Sequence, residues 1–301
     1  MSVLVVGTVA FDTIETPSGS DKTLGGSAMY ASAAASFFAP AQLIGVVGDD
    51  FEAQHLRFFE RLGVGLQGLE RRPGKTFHWA GRYSADFSNR ETLATDLNVL
   101  ADYSPKLPDK LRDAEILMLA NIHPQQQIEA LSQARMPRLV ALDTMNLWID
   151  TCRDDLQRAL KQVDLLILND EEARQLAQTP QLVKAGEALL KMGPRRVVVK
   201  KGEHGVLCFS EEGSFGFPAY PVADVVDPTG AGDCFAGAML GCLASERALD
   251  ESAYRRAMVY GTVLGSFVVE GLGPEKLRSL TRKEIETRRK ELLQFAAAPN
   301  F

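Results

Sequence analysis

Cysteine is scarce: Cys152, Cys208, Cys234 and Cys242 in 301 residues, with no C-x-x-C pair among them. Four scattered thiols cannot staple a chain of this length, so a disulfide framework is excluded and a reducing cytoplasm is the expected home. Long apolar runs are also missing. A bilayer span needs roughly 18 such residues, and the longest candidate, from Met258 to Gly273, is interrupted by Gly261, Gly265, Glu270 and Gly271. The opening MSVLVVGTVAFD has no basic leader and turns polar after one strand length, so no signal peptide is expected. Basic charge is limited: 33 Lys+Arg against 39 Asp+Glu leave a net charge of −6, with no long basic stretch. That argues against nucleic-acid and membrane partners and suits a soluble enzyme of small molecules. The four histidines, His55, His78, His123 and His204, show no metal-ligand spacing such as H-E-x-x-H. None is assigned to a metal or to catalysis. The first strand runs into Gly7-Thr8-Val9-Ala10 rather than the G-x-G-x-x-G turn of a dinucleotide-dependent oxidoreductase, which ranks that class low.

What remains is an alternation. Apolar runs at Val3–Gly7, Gln42–Val47, Ile116–Leu119, Leu139–Asp143, Leu165–Asn169 and Val197–Lys200 read as buried strands. Helical patterns lie between them, among them Ser27–Phe38, Phe51–Leu62, Gln125–Ala134, Glu171–Ala177 and Lys184–Met192. Val206–Phe209 and Ser214–Phe217 around Glu211-Glu212-Gly213 read as a hairpin. The pattern predicts an α/β fold of three layers, Rossmann-like, with a mostly parallel sheet flanked by helices. Residues 1–301 are expected to form a single domain. Two segments outside the alternation, about 10–17 and 75–97, are expected to form a small β lid over the ligand cleft. The alternative makes them edge strands of the main sheet. Ligands of such sheets bind at the carboxyl ends of the strands, where most of the candidate residues fall.

The densest signal is VDPTGAGDCFAGAMLG, Val226 to Gly241. Thr229, Gly230, Ala231 and Gly232 carry little side chain, so their N–H groups can approach an anion. The Ala-rich run from Phe235 reads as a helix whose N-terminus adds unpaired donors and a positive dipole end. Asp233 lies inside that turn. A carboxylate beside an anion cradle suits phosphoryl transfer, with the turn neutralising the moving group and Asp233 taking the proton of an attacking hydroxyl. The plainer reading makes Asp233 an ordinary helix cap. Asn169-Asp170-Glu171-Glu172 closes a predicted strand, and Asn169 and Glu172 share one side of a helical turn. They fit either oxygen ligation of a water-bearing magnesium ion or a capping box.

DPTGAGD ahead of a small-residue helix, with GGSAMYASAAA near the N-terminus, resembles the two signatures of the PfkB/ribokinase-like carbohydrate and nucleoside kinases. The resemblance runs from Val3 to Gly273 in order and spacing. It implies a ribokinase-like fold and an ATP-dependent kinase that transfers the γ-phosphate to a hydroxyl of a sugar, cyclitol or nucleoside. By that resemblance Asp233 is the catalytic base, and Gly230, Ala231 and Gly232 form the anion hole. Asp227 and Thr229 contribute to a monovalent-cation (potassium) site in some members, and Pro228 replaces the more usual Thr. Asn169 and Glu172 match the N-x-x-E motif that orders magnesium, its waters and the phosphates.

Lys200-Lys201-Gly202-Glu203-His204-Gly205 resembles the family's T-x-G-x-x-G nucleotide loop, with Lys200 where Thr is common. Gly202 and Gly205 allow tight turns. Lys200 or Lys201 either adds charge toward the phosphates or belongs to an exposed pair. Gly261 stands where an adenine-side Asn is common. On the acceptor side Asp12 matches an aspartate that accepts from two sugar hydroxyls, Gly25 and Gly26 let the substrate lie against backbone, and Tyr30 replaces a common Asn. Tyr30, Phe11, Phe77 and Trp79 read either as aromatic walls for a nucleobase or as ordinary packing. Asn121, Asp143 and Asn146 end strands or follow them and are candidates for the cleft. Arg82 and Arg90 read as lid contacts or solvated charges. A nucleoside kinase of adenosine type and a non-catalytic nucleotide or sugar sensor are the alternatives, the intact Asp233 arguing against the sensor. A homodimer through the lid is a further expectation.

Overall fold

The computed structural model describes residues 2–16, 19–84 and 90–297. Its strands are β1 Val3–Val6, β2 Ala10–Thr16, β3 Gly19–Gly25, β4 Ala41–Val47, β5 Gly65–Arg71, β6 Phe77–Tyr83, β7 Arg90–Asp96, β8 Ile116–Leu119, β9 Leu139–Asp143, β10 Leu165–Asn169, β11 Arg196–Lys200, β12 Val206–Ser210 and β13 Gly213–Phe217. The helices are α1 Ser27–Ser36, α2 Ala53–Leu62, α3 Pro124–Gln133, α4 Asn146–Thr151, α5 Arg153–Leu160, α6 Asp170–Ala177, α7 Leu182–Leu190, α8 Ala231–Ser245, α9 Glu251–Val268, α10 Glu275–Ser279 and α11 Arg282–Ala296.

The all-apolar runs become the centre of a nine-stranded sheet ordered β13-β12-β11-β10-β9-β8-β1-β4-β5. Every pair from β11 to β5 is parallel, and β12 and β13 add an antiparallel hairpin at one end. VLVV of β1 and ILML of β8 are buried at every residue because helices cover both faces. Odd and even positions feed two cores. Leu139, Ala141, Leu165, Ile167 and Val198 face α1, α8 and α9. Val140, Leu142, Leu166, Leu168, Val197 and Val199 pack with apolar residues of α3, α5, α6 and α7 on the opposite face.

Small residues set how closely α1 and α8 approach. A β-carbon on Gly237 would collide with the Ala31 carbonyl, and one on Gly241 would stand 2.7 Å from the Ala35 oxygen. This tight crossing carries the N-terminus of α8 toward that of α1, so residues more than 200 positions apart meet at one end of the sheet.

A second sheet has the order β3-β2-β6-β7, with β2–β6 parallel and the outer pairs antiparallel. Thus Ala10–Thr16 and Phe77–Tyr83 do leave the main sheet; residues 17 and 85–89 of the expected lid segments lie outside the described residues. The strand Gly19–Gly25 was not expected. Nor were β5, α4 and α5. Helix α8 begins at Ala231, four residues before the expected Phe235, which places Asp233 in its first turn.

Candidate functional site at the carboxyl edge of the sheet

Three neighbouring strands end in polar residues on the face covered by α8. Leu139 and Ala141 lead to Asp143, Leu165 and Ile167 to Asn169, and Val198 to Lys200, each at a two-residue interval. Register aligns Asp143 with Ile167 and Asn169 with Lys200. The Lys200 ammonium donates to Asp143 Oδ2 at 3.2 Å across β10, and both side chains are largely buried (16% and 5% exposed). Burial opposes the lysine's charge, but Asp143, Glu172 and Asp233 outweigh it and hold the Lys200 pKa above its ordinary value. Burial pushes the Asp143 carboxyl upward, against the pull of Lys200 and the Thr144 N–H.

The turn before α8 faces this row. Gly230 is the N-cap, at φ 78°, and a β-carbon there would fall within the Tyr30 ring. Glycine is required twice over, by backbone and by space. Asp227, fully buried, accepts from Thr229 N through Oδ1 (2.9 Å) and from Gly273 N through Oδ2 (3.0 Å). It pins the turn to the segment after α9. The N–H groups of Ala231 and Cys234 bond the carbonyls of Pro228 and Gly230. Gly232, at the helix's second position, has no preceding helical carbonyl for its N–H. A β-carbon on Gly232 would lie 2.9 Å from Lys200 Nζ, so the ammonium rests against the first turn of α8. From the small sheet, the Tyr83 hydroxyl meets Thr229 Oγ1 at 3.0 Å.

Asn169 and Glu172 form a reciprocal capping box. Asn169 N donates to Glu172 Oε2 (2.9 Å), and Glu172 N donates to Asn169 Oδ1 (2.8 Å). The cap does not preclude ligation, since it fixes both side chains at the rim of a cavity of about 160 Å³ lined by Asn146, Asp150, Asn169, Glu171, Glu172 and Gln175. Its lining is carboxylate and amide, a donor set suited to a hard cation that keeps its waters. No group of three or more His, Cys, Asp or Glu converges on one point among the described residues, so a direct all-protein cage is not offered.

On the other side, α1 has Gly26 as its N-cap, at φ 98°. Thr8 and Ser27 lock this start: Ser27 N donates to Thr8 Oγ1 (2.9 Å), and Ala28 N donates to Thr8 O (3.0 Å). Asp12 is 5% exposed and lies flat on Gly25, where any β-carbon would collide with its carboxylate. Tyr30 does not line an open cleft. Its ring is 1% exposed beneath Gly230, and its buried hydroxyl has no hydrogen-bond partner among the described residues. Burial foremost, then Asp12, Asp227, Cys234 and Asp233, drives the Tyr30 pKa well up. Phe11 packs against Phe51 and His55. Asn121 is engaged by Trp148 and Met145. Arg82 pairs with Glu15 and Glu91 at the surface, and the side chain of Arg90 lies outside the described residues.

Residues 2–278 match the PfkB family, the pfkB family carbohydrate kinases. The chain belongs to that family. A cytidine kinase of Thermococcus kodakarensis is 30% identical over 83% of this chain and 91% of its own. A ribokinase of Lactococcus lactis subsp. lactis is 27% identical over 96% and 97%. Among solved structures, the aminoimidazole riboside kinase of Salmonella enterica, complexed with aminoimidazole riboside and an ATP analogue, superposes with a TM-score of 0.78 at 22% identity, covering 96% of this chain and all (100%) of that one. The fold is therefore that of ribokinase, and the protein is an ATP-dependent small-molecule kinase, a phosphotransferase acting on hydroxyl groups.

In this PfkB kinase the loop after β11 is a short 3₁₀ turn, Gly202–His204, closed by Lys201 N donating to Gly205 O (2.8 Å). Gly202 projects toward open space, whereas Gly205 packs on the Phe217 carbonyl. Lys201 is half-buried and Lys200 points inward, so the two are not an exposed pair. Gly261 has a packing role in the structure. It is buried at the α8–α9 crossing, where a β-carbon would stand 2.8 Å from the Phe235 ring. Its small size serves helix packing. Sequence reasoning missed Thr8, Ser27 and Tyr83 as supports of the site; only the chain crossing reveals them.

Proposed function

We propose that this PfkB kinase transfers the γ-phosphoryl group of ATP to a hydroxyl of an acceptor carrying a vicinal diol, of the sugar, cyclitol or nucleoside class. The observation that carries the reading is the placement of Asp233 in the first turn of α8, beside the Gly230–Gly232 turn and within electrostatic reach of Lys200. Asp233 takes the proton of the acceptor hydroxyl, a role worth about 10²- to 10⁴-fold in rate. The N–H groups of the α8 start receive the transferring phosphoryl. Asp12, held on Gly25, accepts from two acceptor hydroxyls, as a carboxylate with two oxygens can. Tyr30 buttresses the turn from below.

Asn169 and Glu172 would hold magnesium through its waters; when bound, the ion neutralises phosphate charge. Asp227 already spends both oxygens on backbone N–H groups, so any potassium near Thr229 would share oxygens that also fasten the turn. The small sheet acts as a lid that excludes water, with Tyr83 reaching the turn. Its outer strand β7 presents the exposed Leu93, with the exposed Leu97 just after it, and would pair with a second copy. The free thiols of Cys152, Cys208, Cys234 and Cys242 suit a cytoplasmic setting.

Similarity to a cytidine kinase over most of both chains favours a nucleoside as the acceptor within this class. ADP release measured across a panel of sugars, cyclitols and nucleosides tests the reading. Turnover with one ribosyl acceptor is expected, and tight ATP binding with no ADP release from any member would make the protein a sensor instead.

A further inference from the structure

The row above Lys200 is apolar: Ala141, Ile167 and Val198 occupy the same face one step back along β9, β10 and β11. A buried ion pair at the end of this row is by itself weak evidence of stabilisation. Yet the chain places an ammonium here, 3.2 Å from Asp143 and against the first turn of α8 where a Gly232 β-carbon would be. Beyond the contacting Asp143, the charges of Glu172 and Asp233 also act on this ammonium.

We infer that Lys200 is a catalytic residue whose ammonium binds the terminal phosphoryl oxygens of the nucleoside triphosphate, with Asp143 as the positioning residue that aims it. The inference rests on the kinase reading. In the transfer step the acceptor oxygen forms its bond to the γ-phosphorus as the bond from that phosphorus to the β–γ bridging oxygen breaks. The electron pair leaves with ADP, and the hydroxyl proton passes to Asp233. Lys200 keeps its proton throughout and stabilises the charge on the equatorial oxygens, as a fixed cation does in other phosphoryl transfers. The absence of a side chain at Gly232 gives the ammonium room beside the turn.

Titration calorimetry with ATP and with ADP, alongside kcat, tests this. Lys200→Met alone strands Asp143 as a buried unpaired charge, so the double variant Lys200→Met/Asp143→Asn carries the measurement, with circular dichroism as the check on folding. Loss of a charge-assisted contact to the terminal phosphate should weaken ATP binding roughly 10- to 100-fold while ADP affinity holds. kcat should fall with it, and Lys200→Arg should recover part of both. Gly232→Ala, which keeps both charges but crowds the ammonium away from the turn, gives a second route and the same ATP-selective loss. Equal losses for ATP and ADP, or unchanged kcat in a folded double variant, would overturn the role of Lys200 and leave the kinase reading intact. A wild-type protein that binds no ATP would sink both.

Discussion

Two glycines in one turn should fail in opposite ways when given a methyl group. Gly230 sits at φ 78° with the Tyr30 ring where its β-carbon would go. Tyr30 cannot retreat, being 1% exposed and packed within the core shared with α8. Left-handed backbone costs a non-glycine residue about 1–2 kcal/mol, and overpacking a filled core costs about 1–3 kcal/mol. Gly230→Ala should therefore destabilise by roughly 2–5 kcal/mol, a melting-temperature loss on the order of 4–10 °C, and should displace the turn enough to abolish most turnover. Gly232 has no positive φ, and among the described residues the nearest atoms to an added β-carbon are the far end of Lys200, at 2.9 Å. There Gly232→Ala should leave stability unchanged or raise it by about 0.5–1 kcal/mol through helix propensity, yet lower kcat. Scanning calorimetry and steady-state kinetics on the two variants read both halves. A Gly230→Ala protein that melts and turns over like wild type would refute the account of the turn.

Other outcomes follow from burial and pairing. Burial pushes the thiols of Cys208 and Cys242 up to about 11 and 12, and that of Cys234 well up; only Cys152 is partly exposed, so Ellman's reagent at pH 8 should titrate one thiol natively and four after denaturation. Because the folded pKa of Lys200 is raised, its stabilisation is complete below the unfolded value of about 10.4 and is lost as pH climbs through the folded one. The melting-temperature gap between wild type and Lys200→Met/Asp143→Asn should accordingly narrow above about pH 10, and a gap that widens there would contradict the ion pair. Tyr83→Phe removes the hydroxyl bonded to Thr229 and should cost about 0.5–1.5 kcal/mol, with a larger effect on the KM of the acceptor than on that of ATP.

The main sheet was legible because its strands are buried on both faces and read as unbroken aliphatic runs such as VLVV and ILML. Strands at edges gave no such signal. In β3, Ser20, Asp21 and Lys22 are exposed and none is apolar. Strand β5, GLQGLER, contains two glycines and is nowhere fully buried. Helix α4 is six residues long, too short for periodicity to register. The start of α8 was placed late because Gly230 and Gly232 read as loop, whereas the helix needs only a left-handed N-cap to begin at Ala231. For Asn169 and Glu172 the spacing served cap and ligand equally, and the structure shows one pair of side chains able to be both. The Lys200–Asp143 contact spans 57 residues and crosses a strand, so it depended on strand order that no local pattern encodes. What Tyr30 and Gly261 pack against, Gly230 and Phe235, was out of reach for the same reason: it comes from the crossing of α8 with α1 and α9.

The central claim concerns the carboxylate of Asp233. Asp233→Asn keeps the size of the side chain and the turn while removing the base. ATP affinity measured by calorimetry should stay near wild type, and ADP release with the preferred acceptor should fall about 10²- to 10⁴-fold. Turnover close to wild type in that variant would show that the hydroxyl proton goes elsewhere.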